Sequence, residues 1–279
     1  MKSANELRRY FDVQLSVHYD NKELKALFFW CVEYVFKWSR SQCLLRMNDL
    51  LDEHQIIQFL AIVNRLKKHE PIQYIVGESE FFGMPFKVNP SCLIPRPETE
   101  ELVNWILHYD FNSALDIGTG SGCIATALAK QTQANISALD VSQDAIELAK
   151  ENAKLNQAQV TFFVHDIFEP LSLEDKLDLI VSNPPYVMES ERTMMNKNVV
   201  DYEPKLALFV DDQNPLIFYD RIVQLAKENL NDDGLLFFEI NEQKSIDVAN
   251  LLENNDFHNI LIKNDMQGKN RMVKAQKKS

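Results

Sequence analysis

The sequence Asn-Pro-Pro-Tyr at residues 183–186 brings together groups that could hold a planar amino group. It follows the apolar segment 177–182, and open α/β sheets bind ligands where such strands end. Proline has a fixed φ and no N–H, so the turn cannot satisfy its own carbonyls, and the carbonyl of Pro184 is left to accept from a ligand. Asn183, which the following proline biases toward an extended conformation, offers a second acceptor. Tyr186 adds an aromatic face, so we predict that this turn binds a planar group carrying an NH2.

The chain around this turn alternates apolar strands with helical segments, a pattern typical of a parallel sheet with helices on both faces. After about Pro95 we predict helices at, for example, 142–156 and 215–230. The predicted strands are 113–117, 135–139, 160–164, 177–181, 234–240 and a terminal pair around 260–262 and 272–273. Such a sheet would bring the ends of several strands to one edge, next to residues 183–186.

A glycine-rich turn follows the first predicted strand, with Gly118, Gly120 and Gly122 placed just after Asp116. Glycines there let backbone N–H groups and a helix N-terminus approach a polar ligand. A dinucleotide fingerprint would have its third glycine where Cys123 stands. An acid before the loop would also repel a pyrophosphate but attract the ammonium or sulfonium of S-adenosylmethionine. The loop therefore favours that methyl donor; the alternative is a tight turn that binds no ligand.

Two more carboxylates are predicted to end strands at the same edge. Asp140 ends the second strand, at the place where an acid holds the ribose hydroxyls of a bound nucleoside. Asp166 ends the third and could accept from an adenine amino group, with Ile167 or Phe168 packed on the base. Taken singly, Asp140 could instead cap the following helix, and Asp166 could be a loop acid. Because three acids follow three successive strands, we expect them to surround one crevice.

Composition sets broader bounds. At 279 residues, two domains are the default expectation. The net charge of −12 argues against a protein that clamps nucleic acid through its phosphates. The four cysteines show no C-x-x-C pairing, so we predict reduced thiols and neither a zinc site nor a disulfide framework. No apolar stretch is long enough to cross a bilayer, and we expect a cytoplasmic protein without a membrane anchor.

The N-terminal region differs in composition from the rest of the chain. Residues 3–69 contain neither glycine nor proline, and apolar residues recur at helical spacing. We predict a capping box at Ser3 and Glu6, a cap at Asp52, and a last helix with Ile56, Ile57, Leu60 and Val63 on one side. The aromatic residues 28–30 could form a partner surface, but core packing is favoured. The predicted domains are a helical domain at 1–72, a β-hairpin linker at 73–94 and an α/β domain at 95–279.

Taken together, these motifs resemble the class I S-adenosylmethionine-dependent methyltransferases, and within them the HemK family of release factor glutamine N5-methyltransferases. The resemblance covers nearly the whole chain. The segments that carry the resemblance are 70–75 with Gly77, 93–103, the glycine loop, 183–186, 202–204 with 207–208, and Gln243 after Glu239. It implies a Rossmann-like fold, mostly a parallel seven-stranded sheet with helices on both faces, preceded by a small all-α domain and a β-hairpin linker.

The resemblance also implies an activity: methylation of the side-chain amide of the glutamine in the Gly-Gly-Gln motif of class I peptide-chain release factors, with the helical domain docking that protein. It implies that S-adenosylmethionine is bound by Asp116, Gly118, Thr119, Gly120, Ser121, Gly122, Asp140, Asp166, Ile167 and Asn183. It implies that the glutamine is held by Asn183, Pro184, Pro185 and Tyr186. No metal and no direct contact with nucleic acid is expected, and a monomer is the default.

The chain departs from the family pattern in two places. Residues 210–215 lack the expected glycines, and Asn241 stands where a glycine often occurs. Four other functions stay open from the residues: a methyltransferase acting on nucleic-acid bases, a glutamine methyltransferase acting on a ribosomal protein, a nicotinamide dehydrogenase, and a binding module without catalysis. The acidic charge and the helical N-terminal region weigh against the first. The glycine spacing and the absence of an obvious proton donor beside the loop weigh against the third, and the intact glycine loop and turn weigh against the fourth.

Overall fold

The computed structural model describes residues 2–279 and divides into two compact units. The first runs up to Gly77 and includes Asn196–Tyr202, and the second comprises Glu78–Met195 and Glu203–Ser279. Within the described residues, no helix is both long and apolar enough to cross a membrane.

The helices and strands are numbered in chain order. The helices are α1 (Ala4–Leu15), α2 (Asn21–Phe36), α3 (Arg40–Leu45), α4 (Glu53–Leu66), α5 (Ile72–Val76), α6 (Pro97–Ile106), α7 (Cys123–Gln131), α8 (Gln143–Leu155), α9 (Lys197–Tyr202), α10 (Ile217–Asn229) and α11 (Ser245–Asn254). The strands are β1 (Glu78–Phe81), β2 (Met84–Lys87), β3 (Ser113–Ile117), β4 (Asn135–Asp140), β5 (Val160–Val164), β6 (Leu177–Ser182), β7 (Val187–Met188), β8 (Phe209–Val210), β9 (Leu230–Glu239), β10 (Phe257–Asn264) and β11 (Asn270–Lys277).

The first unit is helical, as its composition predicts, and side-chain caps begin four of its helices. Asp52 caps α4 by accepting from the backbone N–H groups of His54 and Gln55. Ser3 caps α1 by accepting from the N–H of Glu6, but the Glu6 carboxylate accepts from Lys2 instead of Ser3. The predicted capping box therefore forms only in part.

The buried face of α4 differs from the predicted one. Phe59, Ile62, Val63 and Leu66 are buried, whereas Ile57 is 60% exposed. The spacing of the buried residues is that of one helical face, and it brings the aromatic ring of Phe59 into the core, where it packs beside other rings. The prediction that residues 28–30 serve core packing is confirmed, because Phe28 is buried and its two neighbours pack against the same cluster.

The β-hairpin linker predicted at 73–94 is wrong at its start. Residues 74–76 belong to helix α5, which ends at Gly77 with a φ of 77°. The hairpin itself is short, with β1 and β2 joined by a two-residue turn at which both residues have positive φ. Phe81 and Phe86 are fully buried in the core of the second unit. The hairpin is thus part of that unit's core.

The second unit is built on a seven-stranded sheet in the order β10-β11-β9-β6-β3-β4-β5. The pairs β3/β4, β3/β6, β4/β5 and β6/β9 are parallel, and the pairs with β11 are antiparallel. The predicted strands at 113–117 and 160–164 are confirmed with the same bounds. The one predicted at 234–240 begins earlier, at Leu230, because Leu230 pairs with Leu177 before a shift in register.

Both faces of the sheet are covered, as the apolar strands predict. Successive residues of β6 point to opposite sides: Leu179 and Val181 join the cluster with α6 and α7, and Ile180 joins the cluster with α10 and α11. The chain reverses its direction of travel across the sheet at β3, since β4 and β5 lie to one side and β6 to the other. That switch point is where ligands bind in open α/β sheets.

Gly122 is required at the start of α7 for two separate reasons. Its φ is 77°, and an added Cβ would lie 2.9 Å from the Cβ and 3.1 Å from the Cα of Ala149 in α8. Gly122→Ala should therefore lower the free energy of unfolding by the cost of a left-handed residue, about 1–2 kcal/mol, plus about 1–3 kcal/mol for overpacking. Equilibrium denaturation in urea measures the difference.

Gly268→Ala is the matched control. Gly268 has a φ of 83°, but no atom of residues 2–279 lies within 4 Å of an added Cβ, so its substitution carries the backbone cost alone. Equal losses in the two variants would contradict the close approach of α7 and α8.

Candidate active site

A cavity of about 400 Å³ lies at the carboxyl edge of the sheet. Its wall is formed largely by residues at and after the ends of β3, β4, β5 and β6, together with the segment 91–96, Thr99, Pro204, Leu206 and Ala207. All of these residues belong to the second unit. The cavity therefore sits at the switch point of the sheet, where the sequence predicted the crevice.

The glycine loop forms one side of the cavity through Gly118, Thr119, Gly120 and Ser121. Gly118 and Gly120 have φ values of 72° and 53°, which an L side chain rarely adopts. The N–H groups of Gly118 and Thr119 donate to the carbonyl of Leu139 at 2.9 and 3.0 Å. Gly122 is not on the cavity wall, because its space is taken up by the contact of α7 with α8.

Asp116 does not line the cavity, contrary to the sequence prediction. It is 1% exposed, and its Oδ2 accepts from the Thr119 hydroxyl at 2.6 Å and the Ala125 N–H at 3.3 Å. Its Oδ1 has no hydrogen-bond partner within the described residues. Burial raises the pKa of Asp116 to about 7, although its two hydrogen bonds oppose that rise. Asp116 therefore holds the loop from behind and keeps one buried acceptor unused.

Asp140 does line the cavity, at the end of β4. Its Oδ2 accepts from the N–H of Gly120 at 2.9 Å, and its Oδ1 accepts from the N–H of Ser142 at 2.9 Å. Burial raises the pKa of this carboxyl, and the backbone donors oppose the rise. Asp140 thus fixes the glycine loop while its remaining lone pairs stay available to hydroxyl donors.

Asp166 and Ile167 lie on the wall beyond β5. The Oδ1 of Asp166 accepts from the N–H of Phe168 at 2.9 Å, which turns the chain so that Ile167 also faces the cavity. The rings of Phe168 and Phe218 lie 5.7 Å apart and extend the apolar part of the wall. An acid beside an apolar surface suits a flat heterocycle with an amino group.

The turn at 183–186 is set by β6. Ser182 donates from its hydroxyl to the carbonyl of Ile117 at 2.7 Å, which ties the end of β6 to the end of β3. Asn183, Pro184 and Pro185 line the cavity, as predicted. No described residue donates to the Oδ1 of Asn183 or to the carbonyl oxygen of Pro184. Two acceptors are therefore free beside the cavity.

Tyr186 does not line the cavity, so its predicted role as an aromatic face for the amino group is not supported by its position. Its ring packs against the core on the α10 side, and its hydroxyl donates to Glu239 Oε1 at 3.1 Å. Burial raises the pKa of Tyr186, and the adjacent Glu239 raises it further. The phenol therefore stays protonated and anchors the turn through a hydrogen bond.

The sequence prediction missed several residues of the site. Arg96 lines the cavity and forms an ion pair with the buried Glu203, whose Oε2 also accepts from the N–H of Ile94 at 3.2 Å. Thr99 lies on the wall and donates to Glu239. These residues fall in the stretches that carry the family resemblance, but partners more than 100 positions apart give no local signal of their pairing.

The geometry supports one chemical reading. The cavity offers a loop of backbone groups with two carboxylates on one side, and two free acceptors on a rigid turn on the other. The turn itself carries no charged side chain that could act as a nucleophile. Such a site can bind a nucleoside-like ligand and hold an NH2 group against it, which is the requirement of amino-directed methyl transfer.

Solved structures share the fold. A methyltransferase from Pyrococcus furiosus superposes with a TM-score of 0.55 at 17% identity, covering 82% of this chain and 100% of that one. The 16S rRNA N2 G1207 methyltransferase of T. thermophilus, solved with AdoMet and guanosine, superposes with a TM-score of 0.52 at 16% identity, covering 72% and 50%. At these identities the likeness shows the class I methyltransferase fold alone.

Family models and sequence relatives are more specific. The methyltransferase small domain model matches residues 98–203, and the PrmC N-terminal domain model matches residues 6–77. The release factor glutamine methyltransferase of Enterococcus faecalis is 35% identical, covering 96% of this chain and 99% of its own length. That of Flavobacterium psychrophilum is 43% identical over 276 residues, covering 96% and 97%. The chain therefore belongs to the release factor glutamine methyltransferase family.

Proposed function

We propose that this protein transfers a methyl group from S-adenosylmethionine to the side-chain amide nitrogen of the glutamine in the Gly-Gly-Gln motif of class I release factors. The observation that carries the proposal is the pair of free acceptors, Asn183 Oδ1 and the Pro184 carbonyl, beside the cavity that the glycine loop encloses. An amide NH2 has two hydrogens to donate, so the two acceptors match it in number. The PrmC N-terminal domain match supports a release factor as the protein that docks.

The residues around the cavity fit S-adenosylmethionine. Asp140 has lone pairs left for the ribose hydroxyls, and Asp166 with Ile167 suits the adenine. Asp116 has a buried oxygen that no described residue bonds, and a positively charged group held near the loop would favour the ionised form of this carboxyl. Its role is therefore an electrostatic one from behind the loop, since it does not touch the cavity.

S-adenosylmethionine supplies an electrophilic methyl group on a sulfonium. The amide nitrogen of glutamine is a weak nucleophile, because its lone pair is delocalised into the carbonyl. The protein has to compensate for this weakness. The turn would hold that nitrogen in line with the methyl carbon, at a near-attack distance on the order of 3 to 3.5 Å. The rigidity of two consecutive prolines suits this task, since little freedom remains to be lost.

The two acceptors also favour the transition state. As the carbon–nitrogen bond forms and the carbon–sulfur bond breaks, positive charge moves onto the amide nitrogen, and its N–H groups become stronger donors. The bonds to Asn183 Oδ1 and the Pro184 carbonyl therefore strengthen in the transition state, which is the condition for catalysis. The N-protonated product amide is strongly acidic, so its proton leaves to water without a side-chain base.

One incubation tests the substrate. The enzyme is mixed with labelled S-adenosylmethionine and, in separate arms, a class I release factor, a ribosomal protein carrying a methylatable glutamine, and rRNA. We expect one added methyl on the peptide that contains the Gly-Gly-Gln glutamine, detected by mass spectrometry, and none when that glutamine is replaced by asparagine. Label in the ribosomal protein or the rRNA instead would overturn the proposal.

Asn183→Ala should remove one acceptor and cost about 2–4 kcal/mol in the transition state, by analogy with the loss of one preorganised polar group. We therefore expect kcat to fall by about 30- to 1000-fold, measured in single-turnover methylation assays. Turnover within threefold of the wild type would exclude this role for Asn183.

Asp140→Ala should act on the donor instead. Hydrogen bonds to charged groups contribute about 1.5–3 kcal/mol, so the Kd for S-adenosylmethionine should rise about 10- to 100-fold in calorimetry. Loss of the bond to Gly120 would loosen the loop in the same direction. The control is Glu147→Gln, an exposed acid on α8 whose side chain, among the described residues, bonds only Gln143. Unchanged donor affinity in Asp140→Ala would contradict the assignment.

A further inference from the structure

The orientation of the Asn183 amide decides what the turn can hold. An asparagine side chain has nearly the same shape with its oxygen and nitrogen exchanged, but one orientation presents an acceptor and the other a donor. Only the first matches the NH2 of a glutamine amide. Interactions that hold the amide in this orientation would therefore determine both the reaction and the choice of substrate.

A chain of hydrogen bonds leads from Asn183 to a buried carboxylate. The Nδ2 of Asn183 donates to the Thr99 hydroxyl oxygen at 3.3 Å, and that hydroxyl donates to Glu239 Oε2 at 2.6 Å. Tyr186 donates to the other oxygen of Glu239 at 3.1 Å. These hydrogen bonds connect the first turn of α6, the end of β9 and the turn after β6.

The direction of donation along these hydrogen bonds follows from the number of protons that each group carries. A hydroxyl has one proton, and that of Thr99 is committed to Glu239, so its oxygen can only accept from Asn183. Glu239 is 1% exposed, and an ionised carboxylate only accepts. Burial raises the pKa of Glu239, while the bonds from Thr99 and Tyr186 and the charge of Arg271 favour the ionised form. With both Glu239 oxygens taken by donors, the Asn183 amide has one orientation that completes the chain.

We propose that Thr99 and Glu239 are positioning residues: their one-way relay holds the Asn183 amide with Oδ1 toward the substrate and thereby selects an amide over a carboxylate. Neither residue needs to touch the reacting atoms for this. The inference rests on the proposed function, because it concerns how the same turn recognises its glutamine. The relay explains why the turn presents the Oδ1 of Asn183 as a free acceptor.

Thr99 allows a matched pair of variants, because its side chain is 3% exposed and valine has nearly the same shape. Thr99→Val removes the hydroxyl and breaks the relay, whereas Thr99→Ser keeps it. We expect kcat for methylation of the release factor to fall at least about tenfold in Thr99→Val, the equivalent of one lost hydrogen bond. The serine variant should stay within threefold of the wild type. The Kd for S-adenosylmethionine should stay within threefold in both.

Substrate choice is the readout that a merely structural role would not change. Binding of the release factor is compared with that of its variant carrying glutamate in place of the glutamine, with S-adenosylhomocysteine present to prevent turnover. The wild type and Thr99→Ser should bind the glutamine form more tightly, because two acceptors repel a carboxylate. In Thr99→Val the Asn183 amide can rotate its NH2 toward the substrate, so the ratio of the two affinities should fall at least about threefold.

Each outcome decides between the two proposals. If the wild type does not methylate the release factor glutamine, the proposed function fails. If the wild type does, but Thr99→Val keeps both its kcat and its glutamine preference, the relay alone is overturned. A loss of kcat with an unchanged affinity ratio would also overturn it, since that pattern indicates general damage. Should Thr99→Val melt well below the wild type, Thr99→Ala removes the same hydroxyl without adding a methyl, and the same results are expected of it.

Discussion

The parallel pairing of β3 on both of its edges is the constraint on which the site depends. Ile117, the last residue of β3, is in register with Leu139 of β4 and with Ser182 of β6. The residues that follow these three are Gly118, Asp140 and Asn183, so all of them lie at the same level at the carboxyl edge of the sheet. The hydrogen bond from Ser182 to the Ile117 carbonyl locks this arrangement. A slip of one residue in either pairing would turn the side chains to the opposite face and dismantle the cavity.

Two buried carboxyls serve the site from behind its wall. Asp116 organises the glycine loop, and Glu239 receives the donors that fix the turn. Burying an acid is unfavourable unless hydrogen bonds or charges compensate it, and burial raises the pKa of both groups. Glu239 has both oxygens bonded, whereas Asp116 keeps one free. The free oxygen of Asp116 leaves its carboxyl open to stabilisation by a positive charge held near the loop.

The strands, the helical first unit and part of the cavity wall could be predicted from the sequence because each has a local signal. Apolar periodicity indicated the strands, and three glycines beside an acid indicated the loop. The prediction was wrong at residues 74–76, where alternation suggested a strand but the structure has helix α5. It was also wrong to place Asp116 and Tyr186 on the cavity wall, because sequence spacing shows that a residue is near a strand end but not which way its side chain points.

The sequence by itself determined the chemistry available to this protein. Short runs of consecutive residues specify the glycine loop, the acids after successive strands and the Asn-Pro-Pro-Tyr turn. Only the tertiary structure decided which of these groups face the cavity and which support it. Thr99, Glu239 and Asn183 are separated by at least 56 positions along the chain, yet hydrogen bonds join them in the fold. The physical reason is that hydrogen bonds require contact within about 3.5 Å, and long-range packing alone brings such distant residues that close.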